Sequence, residues 1–160
     1  MDRLWIAPGG LHIEPGIGAD AEALARLHAG AFYRGWPREE FAAYLGDSRT
    51  TPAYVACDAN RRIAGFAMLR LAADEAELLT LAVDPKWRGK GVGRALMHAA
   101  FEDLMFSPVT RMFLEVDEAN LPAVHLYRRE GFAQVGERHG YYARPDGSAA
   151  TALVMSRDLG

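Results

Sequence analysis

Apolar and polar positions along the chain alternate with two periods, and the change of period marks the elements. Residues 53–57, 63–71 and 77–83 are β-leaning runs with Asn60 in the first connection and Asp74-Glu75 in the second. That spacing predicts three consecutive strands of an antiparallel meander. Helical spacing takes over on either side. Leu24, Leu27 and Ala31 fall on one face of a helix opened by Asp20 and running through Phe32, and Pro37 suits the first turn of a second helix ending near Gly46. Residues 92–105 are apolar apart from Arg94, His98 and Glu102 at i, i+4 spacing, which predicts a helix buried against a sheet with one polar stripe. Residues 111–117 alternate again. Asn120 then suits a helix N-cap, Pro122 its first turn and Gly131 its stop. Strands over 11–14, 132–138 and 152–156 complete a mixed sheet, and Pro8-Gly9-Gly10 sets residues 1–10 apart as an irregular N-terminal extension before a domain spanning 11–160.

One junction carries chemistry. The strand ending at Val83 runs through Arg88-Gly89-Lys90-Gly91-Val92-Gly93-Arg94 into a helix. A helix N-terminus offers unpaired N–H groups and the positive end of its dipole, and glycines let the main chain approach phosphate oxygens. A Walker loop is excluded because Gly91, and not Ser or Thr, follows Lys90. A dinucleotide fingerprint fails because the sixth position from Gly89 is Arg94 and from Gly91 is Leu96.

What remains, Arg88-x-x-Gly91-x-Gly93, resembles the pyrophosphate-binding signature of the GCN5-related N-acetyltransferase (GNAT) family. A second block, Asn120-x-x-Ala123-x-x-Leu126-Tyr127-x-x-x-Gly131-Phe132, is similar to that family's second signature and follows the first at the family's interval. Three further places resemble its ribosomal-protein-alanine N-acetyltransferase (RimI) group. They are Leu27-His28-x-x-Ala31-Phe32-x-x-x-Trp36-x-x-x-Glu40-Phe41, Glu115-Val116-x-x-x-Asn120, and Arg138-x-x-Tyr141-Tyr142-x-x-Pro145-x-Gly147. One departure is Thr151, which precedes Ala152 where that group usually has an acidic residue.

The resemblance implies a single-domain α/β (α+β) GNAT fold, a mixed and mostly antiparallel sheet of six to seven strands with about four helices. It implies transfer of acetyl from acetyl-CoA to the α-amino group of a protein N-terminus, expected to be the alanine of a small-subunit ribosomal protein. Main-chain groups of Leu81, Ala82 and Val83 would pair with the pantetheine amides, Val83 N–H would polarise the thioester, and residues 88–94 (Arg88, Gly89, Lys90, Gly91, Val92, Gly93, Arg94) would hold the pyrophosphate. Asn120 would cap its helix and contact the pantetheine arm. Tyr127 would face the sulfur as general acid, and Glu115, its carboxyl raised by partial burial, would take the amine proton. Glu77 on the preceding strand is a rival base. Trp36, Glu77, Tyr141 and Tyr142 are expected at the acceptor, although an aromatic such as Trp36 between two helices also reads as a core plug.

Composition changes this picture little. At 160 residues with half of them hydrophobic, one domain can bury its own core, and the net charge of -3 disfavours nucleic acid and mildly favours an amine-bearing partner. No run suits a bilayer span or secretory signal, so a soluble cytoplasmic protein, monomer or weak dimer, is expected. Cys57 is the sole cysteine and is assigned to strand packing. His28, His98, His125 and His139 have no metal-ligand spacing, so no metal is expected, and His98 reads as a surface residue. Two other readings stay open: acetylation of a small amine or lysine, and a non-catalytic CoA-binding module.

Overall fold

The structure is a computed structural model that describes residues 4–32 and 35–160, excluding the side chains of residues 141–143. Eight strands form one sheet: β1 (Trp5–Ile6), β2 (His12–Pro15), β3 (Ala53–Cys57), β4 (Ile63–Ala72), β5 (Glu75–Val83), β6 (Arg111–Asp117), β7 (Ala133–Ala143) and β8 (Ala149–Asp158). Their order is β1-β2-β3-β4-β5-β6-β8-β7, and every neighbouring pair is antiparallel except β5 with β6. Four helices cover its faces: α1 (Ala21–Ala31), α2 (Arg38–Leu45), α3 (Val92–Leu104) and α4 (Leu121–Arg129).

Burial on both faces explains the apolar strands. In β3, Tyr54 and Ala56 join the cluster containing Leu96, Met97 and Ala100 of α3, while Val55 and Cys57 join the cluster containing Leu24 of α1 and Phe41 of α2. All five β3 residues are therefore buried, and Cys57 is indeed a packing residue. No helix among the described residues is long and apolar enough to cross a membrane.

Several boundaries differ from expectation. Residues 1–10 are not irregular throughout: Trp5–Ile6 pairs with β2 because the Trp5 ring packs edge-on to Tyr54 at 5.7 Å, and a turn over Pro8–Gly10 lets the chain fold back. This added strand takes the sheet from the six to seven expected to eight. The β7–β8 hairpin extends further in both directions than predicted, held by main-chain pairing such as Tyr142 opposite Ala150 and by the Arg144–Asp117 ion pair. Asp20 does not cap α1 with its side chain; its carboxylate accepts from Ile17 N–H at 2.8 Å and from Arg61 at 2.7 Å. Pro37 precedes α2 as its N-cap instead of lying in its first turn.

Candidate functional site

The sheet parts along one line. The β5–β6 ladder pairs Glu75–Leu78 with Arg111–Leu114 and stops, although β5 runs on to Val83 and β6 to Asp117. A bulge lies at this point. Met68 of β4 faces Thr80 and Leu69 faces Leu78, so Leu79 is an extra residue in β5. Such an insertion bends a strand and sharpens its twist, and here it carries residues 79–83 away from β6. The edge of β5 at Leu81, Ala82 and Val83 is thereby left outside the β5–β6 ladder.

At the end of β5 the Asp84 carboxylate accepts from Lys86 N–H at 2.9 Å and tightens the turn Pro85–Trp87. The chain then passes through Gly89 and Gly91, whose φ values of +74° and +86° suit glycine, and Gly91 is the N-cap of α3. Gly93 serves close approach: a Cβ there would lie 3.2 Å from Leu126 of α4 and 3.7 Å from Leu81 of β5. The first amides of α3 thus stand directly beyond the gap between the strands. Around them, Arg88 Nε donates to Val83 O at 3.3 Å and Lys90 Nζ lies 5.3 Å from the centre of the Trp87 ring.

Arg94 differs from the other two cations, because its Nε lies 3.3 Å from the buried carboxylate of Glu130. His98 Nε2 is 2.5 Å from the other oxygen of Glu130. His98 is exposed, as expected of a surface residue, and also forms half of a clasp between α3 and the end of α4. Sequence reasoning missed Glu130, since only the fold brings it beneath the polar stripe of α3.

Glu115 and Tyr127 lie on opposite faces of the sheet. Tyr127 packs with Leu114 and Val116 on the α3 side, edge-on to Phe132 at 5.9 Å, and burial pushes its phenol well above the ordinary value. Glu115 alternates to the other face, where its Oε1 accepts from Arg138 at 2.7 Å. Glu77 lies opposite Phe113 and so shares that face, but its Oε1 accepts from Arg70 at 2.8 Å, within the closed part of the ladder. Asn120 caps α4, its Oδ1 accepting from Ala123 N–H at 3.4 Å. Asp117, at the end of β6, is chelated by Arg144 through contacts of 2.9 and 3.2 Å, and this guanidinium holds its carboxyl below the usual range.

Above the Glu115 face, His28 of α1 is buried between Phe32 and Trp36, with ring centres 4.3 and 4.6 Å away. Its Nδ1 accepts from Trp36 N–H at 3.1 Å, so the proton of the neutral ring sits on Nε2. Burial pushes its pKa down to about 4. Trp36 itself is half-buried and reaches Phe41 and Tyr44, which makes it a core plug on one side. The side chains of Tyr141 and Tyr142 lie outside the described residues.

Away from the gap, donor atoms of His12, Glu14 and Cys57 lie within 4.8 Å of one another. Arg61 pairs with Glu14 and with Asp20, so a guanidinium already supplies the positive charge beside this cluster. Burial first, and then the charges of Asp20 and Asp58, push the Cys57 thiol up.

Residues 21–132 match the model of the acetyltransferase (GNAT) family. The chain belongs to that family. The expected class of enzyme, an acetyl-CoA-dependent N-acetyltransferase, is the class that GNAT members represent. Over 121 residues the chain is 33% identical to the ribosomal protein bS18-alanine N-acetyltransferase of Escherichia coli K12, covering 76% of this chain and 79% of that protein. It is 37% identical over 94 residues to the protein of the same name from Haemophilus ducreyi, covering 59% of this chain and 65% of that one. Among solved GNAT structures, the Escherichia coli ribosomal-protein-S18-alanine N-acetyltransferase superposes with a TM-score of 0.85 at 28% identity over 94% of both chains. Arabidopsis thaliana NAA60, solved with a bisubstrate analogue, superposes at 0.82 over 92% of this chain and 97% of its own, a likeness of fold at 21% identity.

Proposed function

We propose that the chain transfers the acetyl group of acetyl-CoA to the α-amino group of a protein N-terminus, and that its acceptor is the alanine-initiated end of a ribosomal protein in the cytoplasm. The observation that carries this reading is the gap between β5 and β6, with a glycine-capped helix N-terminus at its end. The acceptor assignment draws on the names of the relatives from Escherichia coli and Haemophilus ducreyi. The donor supplies a thioester carbonyl carbon open to attack and a thiolate leaving group.

The residues present fit that donor. Gly89 and Gly91 hold positive φ and Gly93 admits no Cβ without pushing Leu126, so the turn presents main-chain amides with little side-chain cover. Amides from Gly89 to Arg94 would hold the pyrophosphate, with Arg88 and Lys90 adding charge. Arg94 contributes while tied to Glu130. The edge of β5 at Leu81, Ala82 and Val83 would pair with the pantetheine amides as an added strand, with Asn120 alongside.

Glu115, which stands just past the last ladder pair, takes a proton from the amine as nitrogen bonds to the carbonyl carbon. Glu77 is the weaker candidate because it lies inside the ladder; each carboxylate is engaged by an arginine, Arg70 for Glu77 and Arg138 for Glu115, so position in the ladder is what separates them. Val83 N–H stabilises the oxyanion. As the carbon–sulfur bond breaks, Tyr127 donates a hydrogen bond to sulfur. Because burial raises its phenol, Tyr127 keeps its O–H on balance, and the proton that ends on sulfur is replenished from solvent. Trp36, Tyr141 and Tyr142 would border the peptide.

Thiol-release kinetics with acetyl-CoA against Ala-, Ser- and Met-initiated peptides, a blocked-N-terminus lysine peptide and polyamines test the assignment. Turnover is expected on the Ala-initiated peptide. Turnover on the blocked lysine peptide or on polyamines alone would overturn it.

A further inference from the structure

Thr80 is the one buried side chain among the described residues with a polar atom, Oγ1, that has no hydrogen-bond partner in the protein. The residue is 6% exposed. Buried hydroxyls are normally paired, so an orphan marks a group whose partner arrives with a ligand or a role the fold alone does not supply.

Its position is informative. Thr80 lies two residues past Leu78, the last residue of β5 that pairs with β6. Register across β4 fixes its face: Glu77 lies opposite Arg70 and Thr80 opposite Met68, two positions apart on one side of β4. Glu77 in turn shares a face with Phe113, and hence with Glu115. Had Leu79 been an ordinary paired residue of the ladder, Thr80 would have turned with Leu78 toward α3. The bulge that opens the gap therefore also sets a hydroxyl on the same side of the sheet as the carboxylate proposed as base.

We propose that Thr80 Oγ1 is a contact for the acceptor nitrogen, accepting one amine N–H while Glu115 takes the other proton. This rests on the acyl-transfer reading and deepens it. A neutral primary amine has two N–H bonds and one lone pair. One N–H directed at Glu115 and one at Thr80 leave the lone pair aimed at the thioester carbonyl. The transfer remains balanced: the nitrogen–carbon bond forms, the carbon–sulfur bond breaks, and one proton leaves through Glu115. The second N–H survives as the amide N–H of the product. A neutral secondary amine has a single N–H and cannot satisfy both groups, so Thr80 favours primary over N-methylated amines.

The test compares wild type with Thr80→Val, Thr80→Ser and Thr80→Ala, using an Ala-initiated peptide and the same peptide with an N-methylated first residue. Should the wild type prefer another primary amine, that amine and its N-methyl derivative replace the pair, which separates failure of this inference from failure of the acceptor assignment. The expected result for Thr80→Val is a roughly tenfold lower kcat on the primary amine, KM for acetyl-CoA within about twofold, and a narrowed preference over the N-methyl acceptor. Thr80→Ser should keep most of the activity, and Thr80→Ala should behave as Val does if packing is not the cause. Thr80→Val with unchanged kcat and an equal or higher Tm would overturn the proposal, as would equal losses on both acceptors.

Discussion

Glu115 and Glu77 have the same chemistry and face the same side of the sheet, and place in the ladder separates them. Both accept from an arginine, but Glu77 sits within the paired part of β5, whereas Glu115 lies one residue beyond the final β6 pair. Glu115→Gln should lower kcat by roughly a hundredfold with little change in KM for acetyl-CoA, as expected for loss of a general base. Glu77→Gln should stay within a few-fold of wild type. Steady-state kinetics on both variants check this pair, and the reverse ranking would move the base to β5. Tyr127→Phe keeps the packing against Phe132 and removes the hydrogen bond proposed to sulfur, so about a tenfold loss in kcat is expected at unchanged acetyl-CoA KM.

Among the elements, the contact of α3 with α4 and β5 is set by a missing side chain at Gly93 and by a buried carboxylate at Glu130. Gly93→Val would press on Leu126, which already lies 3.2 Å from a single added Cβ. The variant should raise KM for acetyl-CoA several-fold and lower Tm, measurable by kinetics and thermal melting. How legible these elements were depended on the range of the information. The glycine turn, the cap at Asn120, the apolar runs of β3 and β4 and the alternation of β6 are local patterns, and a reader of the chain finds them. The bulge at Leu79 is not local, because an apolar run such as Leu78-Leu79-Thr80-Leu81 reads as a strand in either register until β4 fixes it. The strand at Trp5–Ile6 is too short to show a period, and the outer part of the β7–β8 hairpin lies in solvent, where nothing imposes alternation. His28 was seen only as part of a motif. Its buried neutral state follows from Phe32 and Trp36 closing over it.

For the molecule as a whole, the titrations of His28 and Asp117 both contribute to acid behaviour. His28 is neutral in the fold and takes a proton in the unfolded chain near pH ~6.5, while its folded pKa is pushed down to about 4. The unfolded state binds more protons in that window, so stability is full above pH ~6.5 and falls as pH drops toward 4, by on the order of 3 kcal/mol in all. Asp117 has the depressed carboxyl, so its contribution is intact above the ordinary carboxylate pKa of ~3.9 and is lost as pH falls further. Melting curves from pH 7.5 to 3 should show these losses in that order. His28→Gln should flatten the first and Asp117→Asn the second.

The short β5–β6 ladder has a mechanical meaning as well. Among the described residues, the ladder of Glu75–Leu78 with Arg111–Leu114 and the flanking bond from Thr110 N–H to Asp74 O stitch the two portions of the sheet, and the covalent link between them passes through the outward-pointing Met105 and Phe106. Everything before that link builds β1 to β5 and α1 to α3, and everything after it builds β6 to β8 and α4. A protein so divided is a natural candidate for fragment complementation. Two polypeptides severed near Phe106 should dock across the seam, and a coenzyme bound there as proposed would act as the glue that holds the reassembled pair.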